Sequence, residues 1–411
     1  MLTVDEYRGR IVRERRWPAG LQTALELKEG LAPKRQRRIL GSVTTENLIG
    51  LYPTVCGMTG TAVTQAEELQ SVYGLGVAVI APNRPVVRVD FPDRVFETKA
   101  EKERAVVAEI RLVHASGWPV LVGTASVEES ERLSARIGDL PHDVLNARHE
   151  ETEAAIIAGA GHRGAVTIST NMAGRGVDIA LGPGVAELGG LCVIGMNRHE
   201  SRRIDNQLRG RAGWQGNPGS SQFFVSREDP LLLRYASGHA DADLRSSLDA
   251  AQRIAKGHTL DMRLFLRRYE TVLESQRLAM LRHRQEVLDG AQSEWERLLT
   301  LSVIDELWSD FLAAATECRG NTVWVSLGAG NPFGTYLKQL DTMFWNLNQA
   351  IEEEVKMRLA QPRSADVQDR HGGETWTYLT VDEPFGAMTA RIMVGLRRTV
   401  ERRRAGGSSP S

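Results

Sequence analysis

Two stretches of this chain carry residue types at spacings that could do chemistry. The first is Asn171-Met172-Ala173-Gly174-Arg175-Gly176-Val177-Asp178-Ile179, which follows the apolar run Ala165-Val166-Thr167-Ile168. Gly174 and Gly176 have no Cβ, so the backbone there can come close to a ligand. Arg175 adds a fixed positive charge, and Asp178 can accept from a ribose hydroxyl or order a basic partner. The same residues also read as a plain strand-to-helix turn with Asp178 as its cap. The second stretch is His199-Glu200-Ser201-Arg202-Arg203-Ile204-Asp205-Asn206-Gln207-Leu208-Arg209-Gly210-Arg211-Ala212-Gly213-Trp214. Glu200 to Leu208 reads as a helix, which sets Arg203 and Gln207 four residues apart on one face. Arginines on a helix that ends Gly210-Arg211-Ala212-Gly213 offer guanidinium forks suited to a polyphosphate. The other reading is a solvated basic face neutralised by Glu200 and Asp205.

The elements around these stretches read as a layered α/β domain. Val77–Ile80, Pro119–Val122, Val144-Leu145, Ala165–Ile168, Leu191–Ile194 and Phe223–Val225 are short apolar runs, each suited to a buried strand. Between them, residues 99–115, Val127–Ile137 and Glu150–Ala160 have helical spacing. Continuous apolar strands alternating with helices predict a parallel sheet covered on both faces. In such sheets ligands sit beyond the carboxyl ends of the strands, where both stretches begin.

Beyond residue 240 strand signals vanish. Leu244 to Asp289 holds one glycine and no proline, and suits a single helix of roughly 60 Å. Residues 291–316 carry a stripe of Trp295, Leu299, Leu307, Trp308, Phe311 and Leu312, and residues 333–359 carry Phe333, Leu337, Leu340, Phe344, Leu347, Ile351 and Val355. Spacings of three and four make both amphipathic, so a helix, a glycine-rich loop at Arg319–Gly334 and a second helix are expected. At the front, Leu2-Thr3-Val4 looks like a strand end whose partner is missing, and Leu21–Glu29 a short helix.

The length of 411 residues suggests two to four domains, at about 100–200 residues each. With 51 basic and 52 acidic residues the net charge is −1, which gives no global attraction to nucleic acid or membrane. The basic side is 7 lysines and 44 arginines. The three cysteines, Cys56, Cys192 and Cys318, are scattered. That excludes a disulfide framework and a zinc ribbon and fits a reducing cytoplasm. No apolar run reaches transmembrane length, and the first residues show no charged-then-apolar leader.

Taken together, G-R-G-x-D and Q-L-R-G-R-x-G in one α/β domain resemble the second motor domain of superfamily 2 helicase-like ATPases. Val4-Asp5-Glu6, Gly9-Arg10, Arg15-Arg16-Trp17, Gly57-Met58-Thr59-Gly60-Thr61-Ala62, Val122-Gly123-Thr124, Leu145-Asn146-Ala147 and His199–Gly213 narrow this. They resemble the SecA family, the ATPases that drive preproteins through the Sec channel. The resemblance covers about residues 1–360. It implies a RecA-like parallel-sheet motor domain followed by an all-α scaffold with a two-helix finger. Residues 1–82 would be the closing part of a first nucleotide-binding domain and 83–235 the second. Residues 236–360 would be scaffold and finger, and 361–411 a basic tail. Asp178 matches the nucleotide-contacting aspartate, with Arg175, Gly174 and Gly176 in the same loop and Gln207 in the facing helix. Arg211 matches the first arginine of the sixth helicase motif. ATP is the implied cofactor. A Sec channel of the SecYEG type and preproteins are the implied partners, on the cytoplasmic face of a bacterial inner membrane, with no nucleic acid.

Four departures accompany the resemblance. No lysine of the chain follows a glycine, so G-x-x-x-x-G-K-[ST] is absent. The Walker B carboxylates and preprotein-crosslinking domain, which precede this region in the family, are absent as well. Trp214 stands where the family has its second arginine. The helical wing is absent, since Asp289 leads almost directly to Trp295, which resembles accessory Sec ATPases. The fingertip, Trp324 to Gly330, is apolar and glycine-rich, and no zinc tail follows. The chain alone is therefore expected to be inactive, with Mg²⁺ arriving only with a complementing N-terminal motor half. A degenerate, non-hydrolysing interaction module is the alternative, and a nucleic-acid helicase fragment a more distant one. The tail segment 391–404 carries six arginines against one glutamate and suits anionic lipids.

Overall fold

The computed structural model describes residues 3–5, 10–12, 21–32, 41–146, 153–170, 178–236, 244–290, 292–327 and 331–361. Gly174, Arg175, Gly176, the arginines between 13 and 20 and between 33 and 40, and the arginine-rich tail lie outside them. The chain forms two compact units, Met1–Gln22 with Thr54–Arg263, and Thr23–Pro53 with Leu264–Ser411.

The first unit opens with β1 (Thr3–Asp5) paired antiparallel to β2 (Arg10–Val12). The opening strand has a partner close by in the chain. Helices α1 (Leu21–Lys28), which belongs to the second unit from Thr23 on, and α2 (Thr45–Gly50), wholly in that unit, follow. A 3-10 turn at Ala62–Gln65 then runs into α3 (Ala66–Tyr73). Residues 77–80 correct another expectation. They form no strand, and Val79 and Ile80 are 80% and 85% exposed. Their apolar content reads as burial, but among the described residues no strand pairs with them.

The sheet itself comprises β3 (Val89–Asp90), β4 (Arg94–Phe96), β5 (Val120–Thr124), β6 (Asp143–Leu145), β7 (Val166–Thr170), β8 (Leu191–Gly195) and β9 (Gly219–Ser226). Its order is β3-β9-β8-β5-β7-β6, with β4 also on β9, and every pairing is parallel. Helices α4 (Lys99–Ala115), α5 (Val127–Ile137), α6 (Glu153–Gly159), α7 (Val185–Leu188), α8 (Arg202–Arg209) and α9 (Pro230–Tyr235) accompany the strands. Strand side chains alternate between faces. Val120, Val122, Cys192, Ile194 and Phe224 pack with Val106 and Ile110 of α4 and Leu133 and Ile137 of α5. Leu121, Leu191, Val193 and Phe223 pack on the other face with Ile157 of α6 and Leu208 of α8. The expected α/β layering is what forms.

Helix α10 (Leu244–Asp289) is continuous over 46 residues. Its first turns pack Leu244, Leu248, Ala251 and Ala255 against Val225, Leu231 and Leu232. In the second unit α11 (Glu294–Leu327) and α12 (Pro332–Leu359) share an apolar core of Trp308, Phe311, Leu312, Tyr336, Leu340, Leu347 and Ile351 with Tyr269 of α10. The two stripes seen in the sequence face each other there. However, α11 runs on through Gly320 to Leu327, where a loop from Arg319 was expected. A single interior glycine costs a helix only about 1 kcal/mol, and Arg319 is held by an ion pair to Glu270.

Candidate functional site

The helix α8 hangs on the sheet by a close approach. A Cβ on Gly123 of β5 would sit 2.4 Å from Leu208 Cδ2, so a larger residue there would have to displace the Leu208 side chain. At its N-terminus Ser201 Oγ accepts from the Arg203 amide at 3.3 Å and from Gln65 Nε2 at 3.2 Å. That second bond ties the turn behind Gly57–Ala62 to the cap of α8. Past the C-terminus, Gly213 adopts φ +81°, and a Cβ there would lie 2.8 Å from Arg88 Cβ. Arg88 Nη1 donates to the Ala212 carbonyl at 3.1 Å. The same guanidinium chelates Asp90 at 2.8 and 3.0 Å. Arg84 holds the Gln215 carbonyl at 3.1 Å.

These anchors place the predicted site residues. Ile179, Leu208 and Ala212 belong to one apolar cluster on one sheet face. Their chain neighbours Asp178, Gln207 and Arg211 therefore come to the same side of the sheet. Asp178 is exposed, and Gln207 and Arg211 are half-buried. Burial pulls the Arg211 guanidinium below its ordinary pKa, and the charge of Glu153, at the start of α6, partly offsets this. Trp214 turns back on the helix end: its indole N–H donates to the Gly210 carbonyl. Indole has one N–H and no other donor, so that group is already engaged. Arg203, predicted on the Gln207 face, is half-buried like it.

The reading of α8 as a solvated basic face is corrected by Asp205, which is fully buried. Its carboxylate accepts from the His199 amide at 3.0 Å and His199 Nδ1 at 2.8 Å. It also accepts from Arg198 at 3.2 Å and Gln252 at 2.7 Å. Burial alone would raise the Asp205 carboxyl; the His199 donors and the Arg198 charge outweigh it and hold the carboxyl below the usual range. Arg198 in turn chelates Asp93 at 2.8 Å through both Nε and Nη2. Arg198 and Arg209 both lie against the Phe223 ring, at 4.4 and 4.9 Å from its centroid. Glu200 pairs not with α8 but with Arg234 at 2.5 Å.

A second buried network holds the loop that leads into α8. Lys102 of α4 is fully buried. Its ammonium donates to Asp229, and at 2.8 Å to both the Met196 carbonyl and Asn197 Oδ1. Asn197 Nδ2 donates to Glu129 at 2.7 and 2.9 Å. The sequence reading missed Arg198, Asp93, Gln252 and Gln65, for which no local pattern exists. Lys102 did leave a signal. It stands four residues before Val106 and eight before Ile110, on the stripe that α4 buries.

Comparison with known proteins adds two family matches. A model of the SecA P-loop domain matches residues 85–186 and 183–249, and a model of the SecA DEAD-like domain matches residues 6–70. Curated relatives named protein translocase subunit SecA align over most of the chain. That of Caldicellulosiruptor saccharolyticus is 46% identical over 325 residues, 75% of this chain and 38% of its own length. That of Desulforapulum autotrophicum is 44% identical over 326 residues, 75% and 39% respectively. That of Solidesulfovibrio magneticus is 42% identical over 401 residues, 93% and 48%. The chain thus spans less than half the length of these relatives. Among solved structures it is similar to the Mss116p DEAD-box helicase domain 2 bound to an RNA duplex, at 16% identity and a TM-score of 0.28, over 38% of this chain and 60% of that one.

Proposed function

Because the chain belongs to the SecA family, we propose that it supplies the second half of an inter-domain ATP site in a protein translocase. In this reading Arg211 faces the phosphates and Asp178 accepts from the nucleotide. Gln207 lines the site with Gly174, Arg175 and Gly176. The observation that carries it is Arg211, a guanidinium drawn into burial on the sheet face that Asp178 shares. A cation in low dielectric gains most from an anion brought to it. The donor set therefore fits the charged end of a nucleotide. ATP supplies the phosphoanhydride; the residues of this chain bind and orient it.

Among the described residues no group of three or more His, Cys, Asp or Glu could hold a metal ion. Mg²⁺ and the main counterion of the γ-phosphate are assigned to a complementing front half of the motor, and turnover by the chain alone is expected to be nil. The proposed division is a closing part of the first nucleotide-binding domain at 1–82, a second one at 83–235, and scaffold and finger at 236–360. The proposed partners are a SecYEG-type channel and preproteins, at the cytoplasmic face of the inner membrane. No described helix is long and apolar enough to cross a membrane. Anionic lipids are a further proposed partner, through the tail at 391–404; co-sedimentation with anionic vesicles, with and without residues 391–411, tests that.

Trp214 favours a second reading, a non-hydrolysing interaction module, because its only donor is turned into the helix end. ATP turnover of the pure chain, and of the chain mixed with the front half of a SecA relative, decides between them. We expect background turnover alone and activity in the mixture, cut by about 10²–10³ in Arg211→Ala and lowered in Asp178→Ala. A mixture indifferent to Arg211→Ala overturns the site. Trp214→Arg should raise the rate of the mixture only, and an inactive mixture in all variants supports the second reading.

A further inference from the structure

Helix α8 is joined to α10 by one buried polar junction. Gln252, on α10, is 5% exposed. Its Nε2 donates to Asp205 Oδ2 at 2.7 Å and to the His199 carbonyl at 2.8 Å. Its Oε1 accepts from Arg202 Nε at 3.3 Å. Both donors and the acceptor of the amide are therefore used. One turn earlier on α10, Asp249 accepts from Arg202 Nη2 at 2.7 Å. The apolar cluster that seats the start of α10 includes no residue of α8. Apolar contacts tolerate sliding, whereas a hydrogen bond weakens steeply as its angle and length depart from ideal. Gln252 and Asp249 are thus the polar links from α10 to α8 and the loop ahead of it, Gln252 the buried one, and Arg211 lies two residues beyond the end of α8.

We propose that Gln252 is the positioning residue through which α10 sets the orientation of α8 and, with it, of Arg211. The nucleotide role of Arg211 rests on the reading given above. Gln252 touches no ligand in this scheme. It acts through Asp205, whose remaining partners, Arg198 and His199, fix the loop ahead of α8. A displacement of the start of α10 and a reorientation of Arg211 are then one event, and the coupling is reciprocal.

The test uses the full chain and backbone hydrogen exchange over residues 199–211 and 245–260. Gln252→Leu should raise exchange in both segments together, by about tenfold or more, while Arg253→Gln, its exposed neighbour, should raise neither. Gln252→Glu separates positioning from mere packing. Its carboxyl would face Asp205, with Arg198, His199, Arg202 and Asp249 around the pair. Protonated, it keeps the donor to Asp205 but not the one to the His199 carbonyl; ionised, it loses both and repels Asp205. Exchange in both segments should lie nearest the wild type at pH 5 and exceed it progressively toward pH 8. Affinity for a fluorescent ATP analogue should follow the same pH profile in this variant only. A rise confined to one segment, or a Gln252→Glu variant with no pH dependence beyond the wild type, overturns the proposal. If the wild-type chain mixed with the front half of a SecA relative binds the analogue no better than Arg211→Ala does, while the exchange coupling holds, the junction stands and the nucleotide reading of Arg211 falls instead.

Discussion

Asp205 receives donors from the loop before its helix, from a side chain in that loop, and from α10. Its carboxyl is held below the ordinary value, burial opposing and the His199 and Arg198 donors prevailing. An acid with a lowered folded pKa contributes stability that is fully present above its unfolded value, about 3.9, and is lost as pH falls through the folded one. Asp205→Asn should therefore lower stability at pH 7 by about 3 kcal/mol, and its deficit should shrink below about pH 4. Urea unfolding followed by circular dichroism at pH 7 and pH 3.5 checks this; a deficit equal at both pH values would assign the loss to shape rather than charge. The sequence shows Asp205 only as an acid in a basic run, which reads as surface neutralisation. Its burial depends on Arg198 and Gln252, and Gln252 lies 47 residues away. By contrast, Asp178 and Arg211 stand out as candidates because glycines and arginines at fixed spacing need no distant partner to be noticed.

At the scale of elements, α8 meets β5 in a close contact of Leu208 with Gly123. Gly123→Ala would drive a methyl into Leu208, an overpacking that typically costs about 1–3 kcal/mol. Leu208→Ala alone opens a cavity, and Leu→Ala changes in cores cost about 2–5 kcal/mol. The double variant should lose less than the sum of the two, since each change relieves the other. Calorimetric melting of the four proteins measures it, and strict additivity would mean that α8 does not rest on Gly123. Most elements were legible because strands buried on both faces are mainly apolar, as β5 and β8 are. The same rule misled at Val77–Ile80, where an apolar run has no strand beside it. It also gave no warning that α11 continues past Gly320, because one glycine weakens a helix without stopping it.

At the scale of the whole molecule, the stretch Val77-Ala78-Val79-Ile80-Ala81 has a further consequence. It is uncharged, largely exposed and outside any strand, and it ends at Pro82. Such a segment has the composition of a cross-β seed, and since no described strand pairs with it it is a template for copies of itself. Nothing but the proline guards it. Colloidal behaviour, rather than folding stability, should then limit how concentrated the protein can be made. Static light scattering against concentration should show self-association in the wild type. Val79→Lys should suppress it while leaving the melting temperature within a degree or so, because an 80% exposed side chain contributes little to the core. Scattering unchanged by that substitution would move the sticky surface elsewhere.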